Sequence, residues 1–244
     1  MTEPSHPSDT ARPCIAWPRS ATMCAAPPLF VPIPTKGVGI KSAFWTGEHI
    51  STLRVSFLGA DDQLCAQVFA IGRVWGDYAN IKFERSEDAA AEIRIAFSRG
   101  LTSVTRIGTN ALGVLPGLPT MTLAVSLDLD PMELNRIVLH EFGHALGLGH
   151  EHQSPTAKDG IKWKLQPPGV YDYFWDNMHW DRAAVDQQVL AAYSQSYCIT
   201  TDTFDPRSIM MYRIPPEIVT DGREVQWNNQ LSPMDIEFIG RIYH

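Results

Sequence analysis

No apolar run in this sequence approaches the roughly 18 residues of a membrane-spanning helix, so no membrane span is expected. Positive charge is scarce. Lys and Arg number 20 against 27 Asp and Glu, for a net charge of −7, and no window gathers four basic residues. A phosphate backbone needs a basic footprint, so nucleic acid is not an expected partner. Cysteine is sparse too, with Cys14, Cys24, Cys65 and Cys198 alone. Their spacing forms no zinc knuckle and no Cys-x-x-Cys redox pair, and four are too few for a disulfide scaffold. Free or buried thiols fit this pattern best, and one or two bridges are compatible with it, in pairings the sequence does not choose among. No internal repeat is visible. There is no Gly-x-Ser-x-Gly elbow of a serine hydrolase. Gly37-Val38-Gly39 lacks the third glycine of a dinucleotide loop. The opening MTEPSHPSDT has neither a basic segment nor an apolar one, so it does not read as a secretory signal.

What is present is a chain of 244 residues, 44% hydrophobic, enough for a substantial core in one large domain or two lobes. Residues 1–36 hold eight of the 18 prolines, which disfavours regular structure there. Residues 1–49 are therefore read as an irregular leader. Order is predicted from residue 50. Leu53, Val55 and Phe57 alternate with polar residues as a half-buried strand does, and so do Ile93, Ile95 and Phe97. Ile81–Glu84 reads as a short strand. Leu64, Val68, Ile71 and Trp75 repeat at helical spacing within 61–80. Residues 99–119 read as loops or a hairpin. Met121, Leu123, Val125 and Leu127 alternate as a further strand, expected to border a cleft and to offer its edge to an extended peptide; an internal strand is the alternative. Asp130, Pro131 and Glu133 signal the start of a second helix, with an apolar stripe at Leu134, Val138, Phe142 and Ala145. Helices are also predicted at 170–177, at 181–194 and after Ser232-Pro233. The order predicts an α+β fold, a mixed sheet against two helices in an N-terminal lobe at 50–149, and a looser C-terminal lobe at 150–244.

Half of the eight histidines, His140, His144, His150 and His152, crowd into one short stretch. On a helix, His140 and His144 lie one turn apart on the same side and aim two imidazoles at one point, away from the apolar stripe. His150 would lie about 9 Å further along a continued helix, so the chain must turn sharply first. Gly147 stands where that turn is needed, since glycine takes left-handed backbone freely. Three neutral nitrogens with one open position suit a catalytic zinc ion. Glu141 lies about 100° round from His140, placed for a general base on a metal-activated water.

The run His140-Glu141-x-x-His144-x-x-Gly147-x-x-His150 resembles that of the metzincin zinc endopeptidases, and Glu151 after the third histidine is most similar to the astacin-like branch. Ser208-Ile209-Met210-Met211-Tyr212 resembles the methionine turn of that family. The resemblance extends over 50–244 and implies a mixed twisted sheet with two long helices, a cleft between the lobes, one Zn2+ on the three histidines, Met210 as the turn methionine, and Tyr212 as a donor to the developing oxyanion. It implies hydrolysis of protein or peptide substrates bound extended. It points to secretion, whereas no signal is visible, so the compartment stays open. Related enzymes are often held latent by a pro-segment residue on the metal; Cys14 or Asp9 could serve. Plain core roles for Met210 and Tyr212 would look the same in sequence. Glu151 either orders the third ligand or is solvated. His152 reads as a surface or satisfied histidine rather than a fourth ligand. Trp163, Tyr171, Phe174 and Trp175 read as lobe core before cleft lining. A zinc-binding module without catalysis, or a non-astacin metzincin, are the alternatives.

Overall fold

The computed structural model describes residues 14–17, 37–46, 51–59, 61–100 and 102–244, without the side chains of 14–17, 158 and 159. Strands β1 (Cys14–Trp17), β2 (Val38–Ile40) and β3 (Thr52–Phe57) precede helix α1 (Asp62–Gly72). Then come β4 (Lys82–Arg85), β5 (Ile93–Phe97), β6 (Ser103–Arg106), β7 (Met121–Leu123) and helix α2 (Pro131–Ala145). The C-terminal part holds α3 (Val170–Met178), the short α4 (Arg182–Val185), β8 (Cys198–Thr200) and α5 (Pro233–Ile242). No helix among the described residues is long and apolar enough to cross a membrane.

The main sheet is a five-stranded array, β6-β7-β5-β3-β4, extended at the β6 edge by β1. Only β6 and β7 pair antiparallel; the other neighbours are parallel. Leu53, Val55, Ile93 and Ile95 are buried by strand alternation, and α1 and α2 cover them with Leu64, Val68, Val138 and Phe142. The Trp75 indole N–H is satisfied by the Leu139 carbonyl at 2.9 Å, which fixes the wide ring beneath α2. A second core joins Ile161, Val170, Phe174, Val185, Val189, Met211 and Ile218 in the C-terminal part. Trp163 and Tyr171 pack against that core, as expected, whereas Trp175 is 57% exposed. Cys65 and Cys198 are buried free thiols.

Three expectations are corrected. The stretch read as an irregular leader through residue 49 contains two strands, and its end belongs to the fold. β2 pairs antiparallel with β8, and Ile40 N–H and Gly149 N–H bond Gly147 and Val38 carbonyls at 2.9 and 3.0 Å. A three-residue strand containing glycine carries no readable period, which is why the pattern did not reveal it. The strand expected at 121–127 is only β7, and it lies inside the sheet between β6 and β5. Outside it lies β6, in the stretch read as loop or hairpin, and β1 covers β6 at the sheet's edge. The helix expected through residue 194 stops after α4 and a π-helical turn at 186–190.

Candidate active site

Helix α2 begins where its cap chemistry places it. The Asp130 carboxylate accepts from the backbone N–H groups of Met132 and Glu133 at 2.9 and 3.1 Å, and Pro131 follows at the first turn. It ends in a Schellman motif: Leu148 N–H bonds the Gly143 carbonyl at 3.0 Å and Gly147 N–H the His144 carbonyl at 2.9 Å. Gly147 sits at φ +95°, and a Cβ there would come within 2.9 Å of the Phe44 ring. Only glycine meets both conditions, and the reversal it makes returns His150 toward α2.

The ring centroids of His140 and His144 lie 4.7 Å apart, and His150 lies 5.3 and 4.7 Å from them. One ligand nitrogen from each falls within 4.8 Å of the others. Each ring is held by its other nitrogen. His140 Nδ1 meets the Ile209 carbonyl at 2.8 Å, and His144 Nδ1 the Leu148 carbonyl at 2.9 Å. His150 Nδ1 faces Gln153 Oε1 at 3.4 Å. Carbonyl oxygens only accept, so Nδ1 of His140 and His144 carries the proton and Nε2 keeps a lone pair.

This donor set fits a metal ion. His140 Nε2 is buried without a hydrogen-bond partner. His144 Nε2 and His150 Nε2 face each other at 3.1 Å. Tetrahedral ligation at about 2.0–2.1 Å spaces nitrogens about 3.4 Å apart, so the rings are already close to that arrangement. Burial holds His140 and His150 well below the ordinary imidazole value and pushes His144 down to about 4, so the set is neutral near pH 7.

Glu141 is also buried, and its Oε2 accepts the Thr105 hydroxyl of β6 at 2.5 Å. Tyr212 closes the other side, its ring 4.5 Å from that of His150 and 6.3 Å from that of His140. His152 is not in the ligand group. It is buried, stacks on Tyr212 at 4.5 Å, and bonds the Gln188 carbonyl through Nε2 at 3.1 Å.

Met210 lies under α2. A Cβ on Gly143 would meet its sulfur at 2.4 Å, so the absence of a side chain at 143 lets the methionine approach between the two ligand positions. The turn is tied from below by buried carboxylates. Asp235 accepts from Ser208 Oγ at 2.6 Å, Ile209 N–H at 2.8 Å and Ser232 N–H at 2.9 Å. Glu151 N–H bonds the Met210 carbonyl, and its Oε1 accepts from Asp205 N–H, both at 3.0 Å. Burial pushes Glu151 up to about 8 and Asp235 to about 6. Of the two readings of Glu151, solvation is therefore excluded. Its carboxyl group braces the Asp205 segment, while the third histidine is met by Gln153.

The sequence reading missed Thr105, Gly143, Gln153 and Asp235. Each is an ordinary polar or small residue whose partner is remote or unremarkable in spacing; Asp235 alone carried a local signal, as the residue three after the Ser232 cap.

Solved structures decide the family. A structure of myroilysin, a metzincin-type zinc protease, is 33% identical over 85% of this chain and 98% of its own, at a TM-score of 0.78. The chain is a metzincin zinc metalloendopeptidase. A crystal structure of myroilysin also aligns at 28% identity over 96% of this chain and 92% of its own, at a TM-score of 0.65. The high choriolytic enzyme 1, a hatching enzyme zinc-protease from Oryzias latipes (medaka fish), shares the fold at 17% identity, covering 83% and 94% at a TM-score of 0.53. No protein-family model and no curated protein matches the chain. This metzincin uses a zinc cofactor, for which its three-histidine group is the fitting site.

Proposed function

We propose that this metzincin cuts extended polypeptide chains by a general-base mechanism in which His140, His144 and His150 hold the zinc ion and Glu141 handles the proton. The observation that carries the reading is the convergence of three neutral imidazoles, one with an orphaned Nε2, beside a buried carboxylate on the same helix. Zinc bound there supplies Lewis acidity, which polarises the scissile carbonyl and acidifies water. Glu141 takes the proton of the attacking water and passes it to the leaving amine. Tyr212, beside the His150 ring, donates to the oxygen on which negative charge develops. Gly147 and Met210 fix the ligand geometry, and Glu151 braces the turn that carries Met210.

The substrate adds as a further strand to β6, whose inward-facing Thr105 touches Glu141. β1 lies on that same edge, with Ala16 opposite Thr105. We read β1 as part of an inhibitory leader that occupies the substrate's place, and the catalytic domain as including residues 37–46. Cys14 and Asp9 are the sequence's candidates to cap the metal; Asp9 and the Cys14 side chain lie outside the described residues.

The deciding experiment replaces Glu141 by Gln and measures zinc content and casein cleavage together. Retained zinc with turnover reduced by about three orders of magnitude or more is expected. Cleavage at the parent rate would remove Glu141 from the mechanism. Tyr212→Phe slows turnover with zinc unchanged; loss of zinc instead would make the tyrosine structural.

A further inference from the structure

β6 is both the strand on which a peptide would add and the strand that touches the base. Ser103 and Thr105 alternate inward, both buried, while Val104 and Arg106 are half-exposed. The Ser103 hydroxyl is spent on the backbone, accepting from Ala124 N–H at 3.0 Å. The Thr105 hydroxyl instead crosses to α2 and donates to Glu141 Oε2. Both residues are 1% exposed, so water does not compete for this contact.

We infer that Thr105 is a positioning residue that holds the Glu141 carboxylate in the rotamer where its other oxygen faces the attacking water, and that it fixes the spacing between the bound peptide strand and the base. The inference rests on Glu141 being the base. A glutamate side chain has three rotatable bonds, and a carboxylate free to swing spends little time in one productive orientation. A charge-assisted hydrogen bond from a β-branched residue in a paired strand removes that freedom. Thr105 is itself fixed, because its backbone lies opposite Met121 of the internal strand β7. The strand that sets where the peptide backbone runs is thus the strand that sets where the base points. Glu141 is one position away from a metal ligand, and the hydroxyl touches only its carboxylate, so the effect belongs to the rate of the chemical step and leaves metal binding alone.

The test uses zinc-loaded protein and a series of variants read by kcat, KM and zinc content. Thr105→Val keeps the shape and strand preference and removes the hydroxyl; kcat is expected to fall by about tenfold or more, with KM within about twofold and zinc content unchanged. Thr105→Ser keeps the hydroxyl and should restore kcat to within about threefold of the parent. In a Glu141→Asp background, whose shortened carboxylate cannot reach position 105, adding Thr105→Val should have little further effect. The inference is overturned if Thr105→Val keeps its kcat, if it raises KM alone or sheds zinc, if Thr105→Ser is as slow as Thr105→Val, or if the Val effect is undiminished in the Glu141→Asp background. Glu141→Gln separates the two levels. An inactive Gln variant with an unaffected Thr105→Val variant sinks only this inference, whereas a fully active Gln variant sinks the base assignment first.

Discussion

Replacing Asp235 by Ala should loosen the metal site from a position that touches no ligand. The carboxylate gathers three buried donors: the Ser208 hydroxyl and the backbone N–H groups of Ile209 and Ser232. Leaving a buried donor unpaired costs about 1–3 kcal/mol, so three cost about 6 kcal/mol at the middle of that range. Against this, burial pushes Asp235 up to about 6 from 3.8, and releasing an ionised group of that kind gives back about 3 kcal/mol at neutral pH. The donors win by about 3 kcal/mol, which for a domain of this size lowers Tm by about 6–12 °C. The sign with pH follows from the raised value. The folded parent binds its proton more tightly than the unfolded chain, so its stability falls as pH rises from about 4 through 6 and is flat above. The cost of the substitution therefore grows by about 1 kcal/mol between pH 7.5 and 5.5. The zinc affinity should fall as well, by up to about tenfold, because the Ile209 carbonyl that orients His140 is anchored through the same residue. Thermal unfolding of the zinc-loaded protein, urea unfolding at the two pH values and a competitive zinc titration measure the three effects. A Tm within about 1 °C of the parent, or a cost that shrinks on acidification, would refute the reasoning.

Acid should destabilise the zinc-free protein. Burial pushes His144 and His152 down to about 4 from 6.5 and holds His140 and His150 well below it. The unfolded chain therefore takes up protons first and stability is lost as pH falls from 6.5 to 4, at about 3 kcal/mol for each of the first two rings. The four rings together outweigh the opposite contributions of Glu151 and Asp235, whose values are raised. A urea midpoint that is flat or rises from pH 7 to 5 would contradict this. Gly147→Ala forces a Cβ into left-handed backbone at φ +95° and against Phe44, and should cost about 1–3 kcal/mol with a weaker zinc affinity, read by thermal unfolding and metal titration. Removing residues 1–36 should raise peptidase activity by uncovering the β6 edge; equal activity in the full and trimmed chains would show that β1 does not block the substrate.

The parts of this fold that could be read from the sequence are those whose information is local. Thr52–Phe57, Ile93–Phe97 and the start of α2 declare themselves through alternation and cap chemistry over a few residues. The proposed ligand triad is legible for the same reason, since helix geometry pairs His140 with His144 and a glycine permits the return of His150. Strand order is different. Whether 121–123 is an edge depends on 103–106 crossing outside it, and nothing in either segment's own pattern states that neighbour. The segment 37–46 was opaque because its three-residue strand draws its stability from β8 and from the turn after α2, far away in sequence. Gln153 and Thr105 carry common polar side chains, and only the folded geometry shows that one faces His150 and the other Glu141.

These remote contacts give the site a particular logic. Two of the three ligand rings are oriented by backbone carbonyls that exist only once other structure has formed: Leu148 after the α2 terminus has closed, and Ile209 after the methionine turn has docked. Closing the terminus requires 37–46, because Trp45 Nε1–H bonds the Ala145 carbonyl at 2.8 Å and Phe44 packs on Gly147. Docking the turn requires α5, because Asp235 binds Ser208 and Ile209. The neutral, converged histidine set is therefore a product of nearly the whole chain rather than of the short run that spells it. A peptide covering the motif alone would lack the Ile209 carbonyl and would leave the Leu148 carbonyl unplaced, so its imidazoles would keep their ordinary proton affinity and open spacing. This is why metal affinity, and not only stability, is expected to respond to substitutions at Gly147 and Asp235, neither of which contributes a ligand atom.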